Sequence, residues 1–210
     1  MRSVRGSLIV GALLASPGLR CAQVIDRIAV TVDSQVITQS RVLEEIRLAA
    51  FLNGEKPDVG GEARRRMAGR LVEQLLLQRE MELTRYPAAP PSAAVQAIER
   101  LKRERFPEAQ YRAALRAYDL TEEELRQYLL RQAALLRFIE ARFRPEVQVA
   151  ESEVKDCYEK RSVQTRTSSE EARAGCEQAL AAAGVDKAVD RWLRETRERV
   201  RIVYREEAFQ

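Results

Sequence analysis

The chain contains no histidine. It therefore lacks the side chain whose unperturbed pKa lies nearest neutrality. Histidine-assisted nucleophiles and histidine-ligated metals are excluded with it. Aromatic residues make up only 6% of the 210 positions, and there are nine glycines. No glycine-rich phosphate loop and no Cys-x-x-Cys pair is present. The apolar run near the start, Leu8 to Leu14, is too short to span a bilayer.

Charged residues, by contrast, make up 32% of the chain, which marks a polar, charge-laced, helical protein. A chain of this length spans one or two domains. It can bury a core without metal or disulfide staples. The opening reads as a secretory signal: Arg2 and Arg5, the apolar Leu8–Leu14, then Ala15-Ser16-Pro17-Gly18. A cut between Cys21 and Gln23 would leave residues 24–210 as the mature chain, working in the periplasm without stable membrane insertion. Removing residues 1–23 takes away Arg2, Arg5 and Arg20, so the 36 basic residues fall to 33 against 32 acidic ones. That balance gives no broad basic field and no nucleic-acid partner. Arg64-Arg65-Arg66 reads as a solvated helix face. Cys157 and Cys176 would remain. Outside the cytoplasm an even pair favours a disulfide; the alternative is two buried thiols that never meet.

Alternation of Ile28, Val30 and Val32 with Ala29 and Thr31 predicts a strand that begins near Val24. Asp33-Ser34 turns it, and Val36-Ile37 pairs back. Thr38 or Ser40 caps a helix through Val42, Leu43, Ile46 and Ala50, which Asn53-Gly54 ends. A second helix runs from about Gly61 to Arg85. The proline-rich stretch from Tyr86 to Pro91 links it to a helix capped by Ser92. A short helix follows Phe106-Pro107. Thr121-Glu122-Glu123-Glu124 forms a capping box for the most apolar helix, which Arg144-Pro145 stops. Val147 and Val149 predict a short strand, and Ser152 to Lys160 a helix. Ser168 or Ser169 starts another that ends at Gly184, followed by one from Asp186 to Arg199. Val200, Ile202 and Tyr204 then alternate as a last strand. A lone hairpin is marginal in water, so this strand is expected to pair with the first one.

The order of these elements resembles the SurA-type periplasmic chaperones. VIDRIAVTVDSQVITQSRVLEEI (24–46) is similar to the family's opening strand, turn, strand and threonine-started helix. YDLTEEELRQYLLRQAALLRFIEARF (118–143) resembles its long helix. VQVAESEVKDCYEK (147–160) is similar to its lead into a parvulin-type prolyl isomerase domain, and AVDRWLRETRERVRIVY (188–204) to its closing helix and strand. The resemblance implies a mainly α fold. It would be a multi-helix SurA/trigger-factor-like peptide-binding core, with a small β-sheet formed by the N-terminal hairpin and the C-terminal strand. Residues 24–149 and 185–210 would make the core. Residues 150–184 would be a short helical insert in place of the isomerase domain, because about 35 residues cannot build an independent domain.

The function so implied is an exported, ATP-independent chaperone for unfolded outer-membrane or secreted polypeptides. It would use an apolar groove, with no cofactor, no metal and no isomerase activity. Phe51, Leu52, Met67, Met81, Tyr111, Tyr118, Tyr128 and Phe138 are the candidate groove residues, each also compatible with an ordinary core position. A degenerate prolyl isomerase and a structural subunit of an envelope complex are the alternatives. No catalytic constellation is legible. Glu122, Glu123 and Glu124 suit the positive end of a helix dipole rather than acid–base work.

Overall fold

A computed structural model describes residues 26–162 and 169–210. The signal segment with Cys21, the strand start at Val24 and Ile25, and Ser168 lie outside the described residues. The fold is mainly helical, with a small three-stranded antiparallel sheet.

Strands β1 (Ile28–Val32) and β2 (Gln35–Thr38) form the hairpin. Its two-residue turn places Asp33 at φ 50°, a left-handed conformation that aspartate tolerates. The register slips between Ile28 and Val30, a bulge that makes Ala29 the extra residue. The slip resets the alternation. Ile28 turns outward at 43% exposure, while Ala29 and Val30 are both buried. Ile28 is therefore not part of the inward row that simple alternation predicts.

Thr38 caps α1 (Gln39–Asn53), its hydroxyl accepting from the Arg41 amide at 3.3 Å. Gly54, at φ 72°, closes that helix in the left-handed conformation that glycine adopts at least cost. Helix α2 (Gly61–Leu83) follows, then α3 (Pro91–Glu104) and α4 (Glu108–Ala117). Pro91, not Ser92, starts α3: its ring presets a helical φ at a position whose amide has no partner anyway. The capping box on α5 (Glu122–Phe143) is complete. The Glu124 amide donates to Thr121 Oγ1 at 3.2 Å, and the Thr121 amide donates to the Glu124 carboxylate at 2.7 Å.

After α5 the chain makes a 3-10 turn, Arg144–Glu146. Val147 to Val149 then runs on without a sheet partner, so it is no strand. Helices α6 (Glu151–Ser162) and α7 (Ser169–Arg199) form a hairpin. Helix α7 passes through Gly184 unbroken, where a stop was expected. Gly184 serves close packing instead: a Cβ there would collide with the Val147 side chain. Cys157 on α6 and Cys176 on α7 are disulfide-bonded, with Cα atoms 5.9 Å apart. The link closes a loop of 19 residues in sequence separation. On the chain-entropy account its reduction costs about 3 kcal/mol. Thermal scans with and without reductant are expected to show a clearly lower midpoint for the reduced protein. An unchanged midpoint would mean that the hairpin unfolds independently of the body.

Strand β3 (Ile202–Tyr204) lies beside β1, giving the sheet order β2-β1-β3. Val30 faces Tyr204 and Val32 faces Ile202 in antiparallel register. The last residues then fold back on α2. Arg64 donates to the carbonyls of Ala208, Phe209 and Gln210, and Arg65 pairs with Glu206 and lies 4.9 Å from the Tyr204 ring centre. The arginine run is thus more than a solvated face. Two of its members clasp the C-terminal segment, and Arg66 pairs with Glu62 at 2.7 Å.

Two apolar clusters result. The larger packs the sheet against α2, α5 and α7 through residues such as Val30, Val72, Leu76, Phe143 and Leu193. The smaller joins Phe51 of α1, Ile98 of α3, Tyr111 of α4 and Leu125 of α5. Helices α1 and α5 run through both.

Candidate peptide-binding trough

Four of the eight candidate groove residues are core. Phe51 and Tyr111 have no exposed surface, Phe138 has 2% and Met67 has 9%. Phe51, Tyr111 and Phe138, covered by their own chain, cannot meet a client without unfolding and are withdrawn from the site, while Met67 lines a separate cleft between α1 and α2. Leu52, Tyr118 and Tyr128 are half-buried around the smaller cluster. Of the eight, only Met81 lines either of the two adjoining clefts described next.

Those clefts run along the α2–α5 seam. One, of about 450 Å³, is walled by Met81, Tyr86, Ala134 and Leu135. The other, of about 390 Å³, is walled by Val36, Ile37, Leu71 and Leu75. Gln78 and Arg131 line both, so the two join into one trough. Local chemistry sets its far end. Arg85 takes φ 53° just past α2, and the Tyr86 amide donates back to the Met81 carbonyl at 2.8 Å. That reversal turns Tyr86 toward α5. Its hydroxyl donates to the Arg137 carbonyl at 3.0 Å, and its ring meets Phe138 edge-on at 5.2 Å. Beyond Tyr86, Leu136 is 64% exposed.

The floor between α1, α2 and α5 is charged. Glu45 is 2% exposed and the sole buried charged residue among those described. Arg41 Nη2 meets its carboxylate at 2.7 Å, and Gln74 Nε2 donates to it at 3.4 Å. Burial pushes the Glu45 carboxyl above its ordinary range, against the pull of Arg41. Burial also pushes the Tyr128 phenol up, with the Glu45 charge adding to it. Arg131 is held below the usual guanidinium range, first by burial and then by the like charge of Arg41. Its buried Nη2 has no hydrogen-bond partner among the described residues.

A raised carboxyl favours the folded state in its protonated form, so its contribution is present below the ordinary value of 4.5 and fades as pH rises through the raised value. Wild type is therefore expected to gain stability relative to Glu45→Gln as pH falls from about 7 to about 4.5. Urea unfolding of both proteins at the two pH values measures the difference, and the opposite trend would contradict a burial-dominated Glu45.

Glu45 and Arg131 escaped the sequence reading. The signal was present: Glu45 stands next to Ile46 and three residues after Val42 on the inward face of α1. Arg131 precedes Leu135 by one helical turn on the inward face of α5. A polar residue inside an apolar stripe marks such a site. Among the described residues no group of three or more acidic or cysteine side chains is placed to hold a metal ion. No helix among them is long and apolar enough to cross a membrane. No protein-family model matches the chain, and no curated protein matches it.

Proposed function

We propose that the protein is an exported chaperone that holds unfolded polypeptide reversibly, without nucleotide, in the α2–α5 trough. The observation that carries this reading is the trough itself: two adjoining open clefts on a folded body, where Val36, Leu75, Met81 and Tyr86 keep apolar surface uncovered beside Arg41, Gln78 and Arg131. An apolar surface left uncovered in a charge-rich protein marks an interaction site. Methionine at one wall suits clients of varied shape. The disulfide belongs to an oxidising compartment, which supports export. The order of elements, which resembles that of the SurA-type chaperones, fits the same reading.

Binding would draw on burial of client apolar side chains, about 1.5–3 kcal/mol for each one fully covered. Losses of translational and conformational freedom oppose it. Two or three such contacts give weak, exchangeable complexes, as a holding function requires. The test is suppression of aggregation. A urea-denatured β-barrel membrane protein is diluted into buffer with the purified protein, and light scattering is followed. Equimolar protein is expected to reduce scattering severalfold, and Leu75→Glu to remove most of that protection while keeping the helical circular dichroism. Unchanged scattering with wild type would reject the function.

A further inference from the structure

We propose that the trough selects an extended client segment in which an internal aspartate or glutamate is flanked by apolar residues, its carboxylate pairing with Arg131. This inference rests on the peptide-binding reading and adds the chemistry of the ligand. Three features carry it.

The first is charge. The described trough walls carry Arg41, Arg85 and Arg131 against one acidic side chain, Glu82. Arg41 is already engaged by Glu44 and Glu45, at 2.8 and 2.7 Å. Arg131 is half-buried and lines both clefts, and Arg41 repels its charge while Glu45 and Glu44 of α1 offset it. A carboxylate is the acceptor that a guanidinium fork matches in both geometry and charge.

The second is position. Arg131 stands where the two clefts join, with apolar walls on either side. A peptide ending there would leave one cleft empty. A chain that continues through both places a side-chain carboxylate at the join and its neighbours in the clefts. From Leu71 to Glu82 the α2 wall runs about 16 Å. That is the length of about five extended residues.

The third is conformation. Strand β2 is an edge of the sheet. Val36 and Ile37, successive residues that point to opposite faces, both line the cleft. The trough therefore meets β2 along its free edge. A free edge offers backbone groups that only an extended partner satisfies.

The test uses short labelled peptides and fluorescence anisotropy with the whole protein. Two share leucine-rich flanks and blocked ends and differ only in a central glutamate or glutamine. Wild type is expected to bind the glutamate peptide about tenfold more tightly. Arg131→Gln is expected to bind both alike, at the glutamine-peptide level. Arg131→Lys, which keeps the charge but not the fork, should retain part of the preference. Equal binding of the two peptides by wild type overturns the inference and leaves the chaperone reading standing. So does a preference that survives in Arg131→Gln. A glutamine-centred peptide with a free C-terminal carboxylate is the third probe; if it alone binds tightly, the site reads chain ends and the inference fails. Binding of no peptide by wild type would reject the peptide-binding reading itself. The wild-type comparison needs no variant, so the inference stays testable if Arg131→Gln fails to fold.

Discussion

Ending the chain at Arg199 is expected to abolish the cooperative thermal transition. The deletion removes β3, leaving β1 and β2 as a two-stranded hairpin. It also removes Phe209 and Ala208, buried at 7% and 1% exposure, and the packing of Val200, Ile202 and Tyr204 on the larger cluster. Lost apolar burial alone amounts to about 5–8 kcal/mol. That is comparable with the whole stability of a typical domain, about 5–15 kcal/mol. Arg64 would lose three carbonyl acceptors, and Asp33 its reciprocal bonds with the Arg201 backbone, each near 3 Å. The measurement is a melt followed by far-UV circular dichroism and calorimetry. A single substitution grades the effect: Phe209→Ala should cost about 3 kcal/mol. A truncated protein that melts sharply at the full-length midpoint would show that the strands do not hold the body together.

Phe51→Ala is expected to cost about 3–5 kcal/mol, with the damage confined to one end of the molecule. Phe51 is fully covered; its ring stacks on Phe106 at 5.2 Å and meets Tyr118 edge-on at 5.5 Å. It joins α1 to Ile98 of α3 and Tyr111 of α4, and neither of those helices contributes to the larger cluster. The cavity should therefore loosen α3 and α4 first, while the sheet, α2 and α7 keep their packing. Native-state hydrogen exchange reads this directly. Amides of α3 and α4 should lose protection by a factor of a hundred or more, since about 1.4 kcal/mol is a factor of ten. Those of β1 should change far less. Uniform loss across both clusters would mean that the clusters unfold as one.

The contrast between these regions also explains what was readable beforehand. Short-range rules succeeded wherever the chemistry was local: the Thr38 cap, the left-handed Gly54 and the Thr121–Glu124 box all lie within a few residues, whereas β3 spans only Ile202–Tyr204, all half-buried without alternation. The β1–β3 pairing was also legible, because a two-stranded hairpin with an apolar face demands a partner. What failed depended on distant neighbours. Gly184 looks like a helix stop until Val147 is seen against it. Ile28 fits the inward row until the bulge at Ala29 shifts it. Val147 and Val149 alternate like a strand, yet they pair with none of the three strands of the sheet. Phe51, Met67, Tyr111 and Phe138 show the same limit. Periodicity says that a face is apolar but not what covers it, so core and groove look alike. Arg131 shows the converse, since a charged residue on an apolar stripe is visible in sequence but its role depends on the cleft around it.

The pairing of β1 with β3 also orders events in time. Thr31 and Val203 are neighbours in space but far apart in synthesis. Contacts between such distant segments form late, because a long loop must close first. While a ribosome is still adding residues, α1, α3, α4 and the start of α5 can gather their cluster, but the central strand waits for its partner. The larger cluster, which includes Phe209, cannot be completed until that residue has emerged. Under the export proposed here, that delay would serve passage across the membrane. A larger cluster that waits for β3 stays open until that strand has followed the rest across.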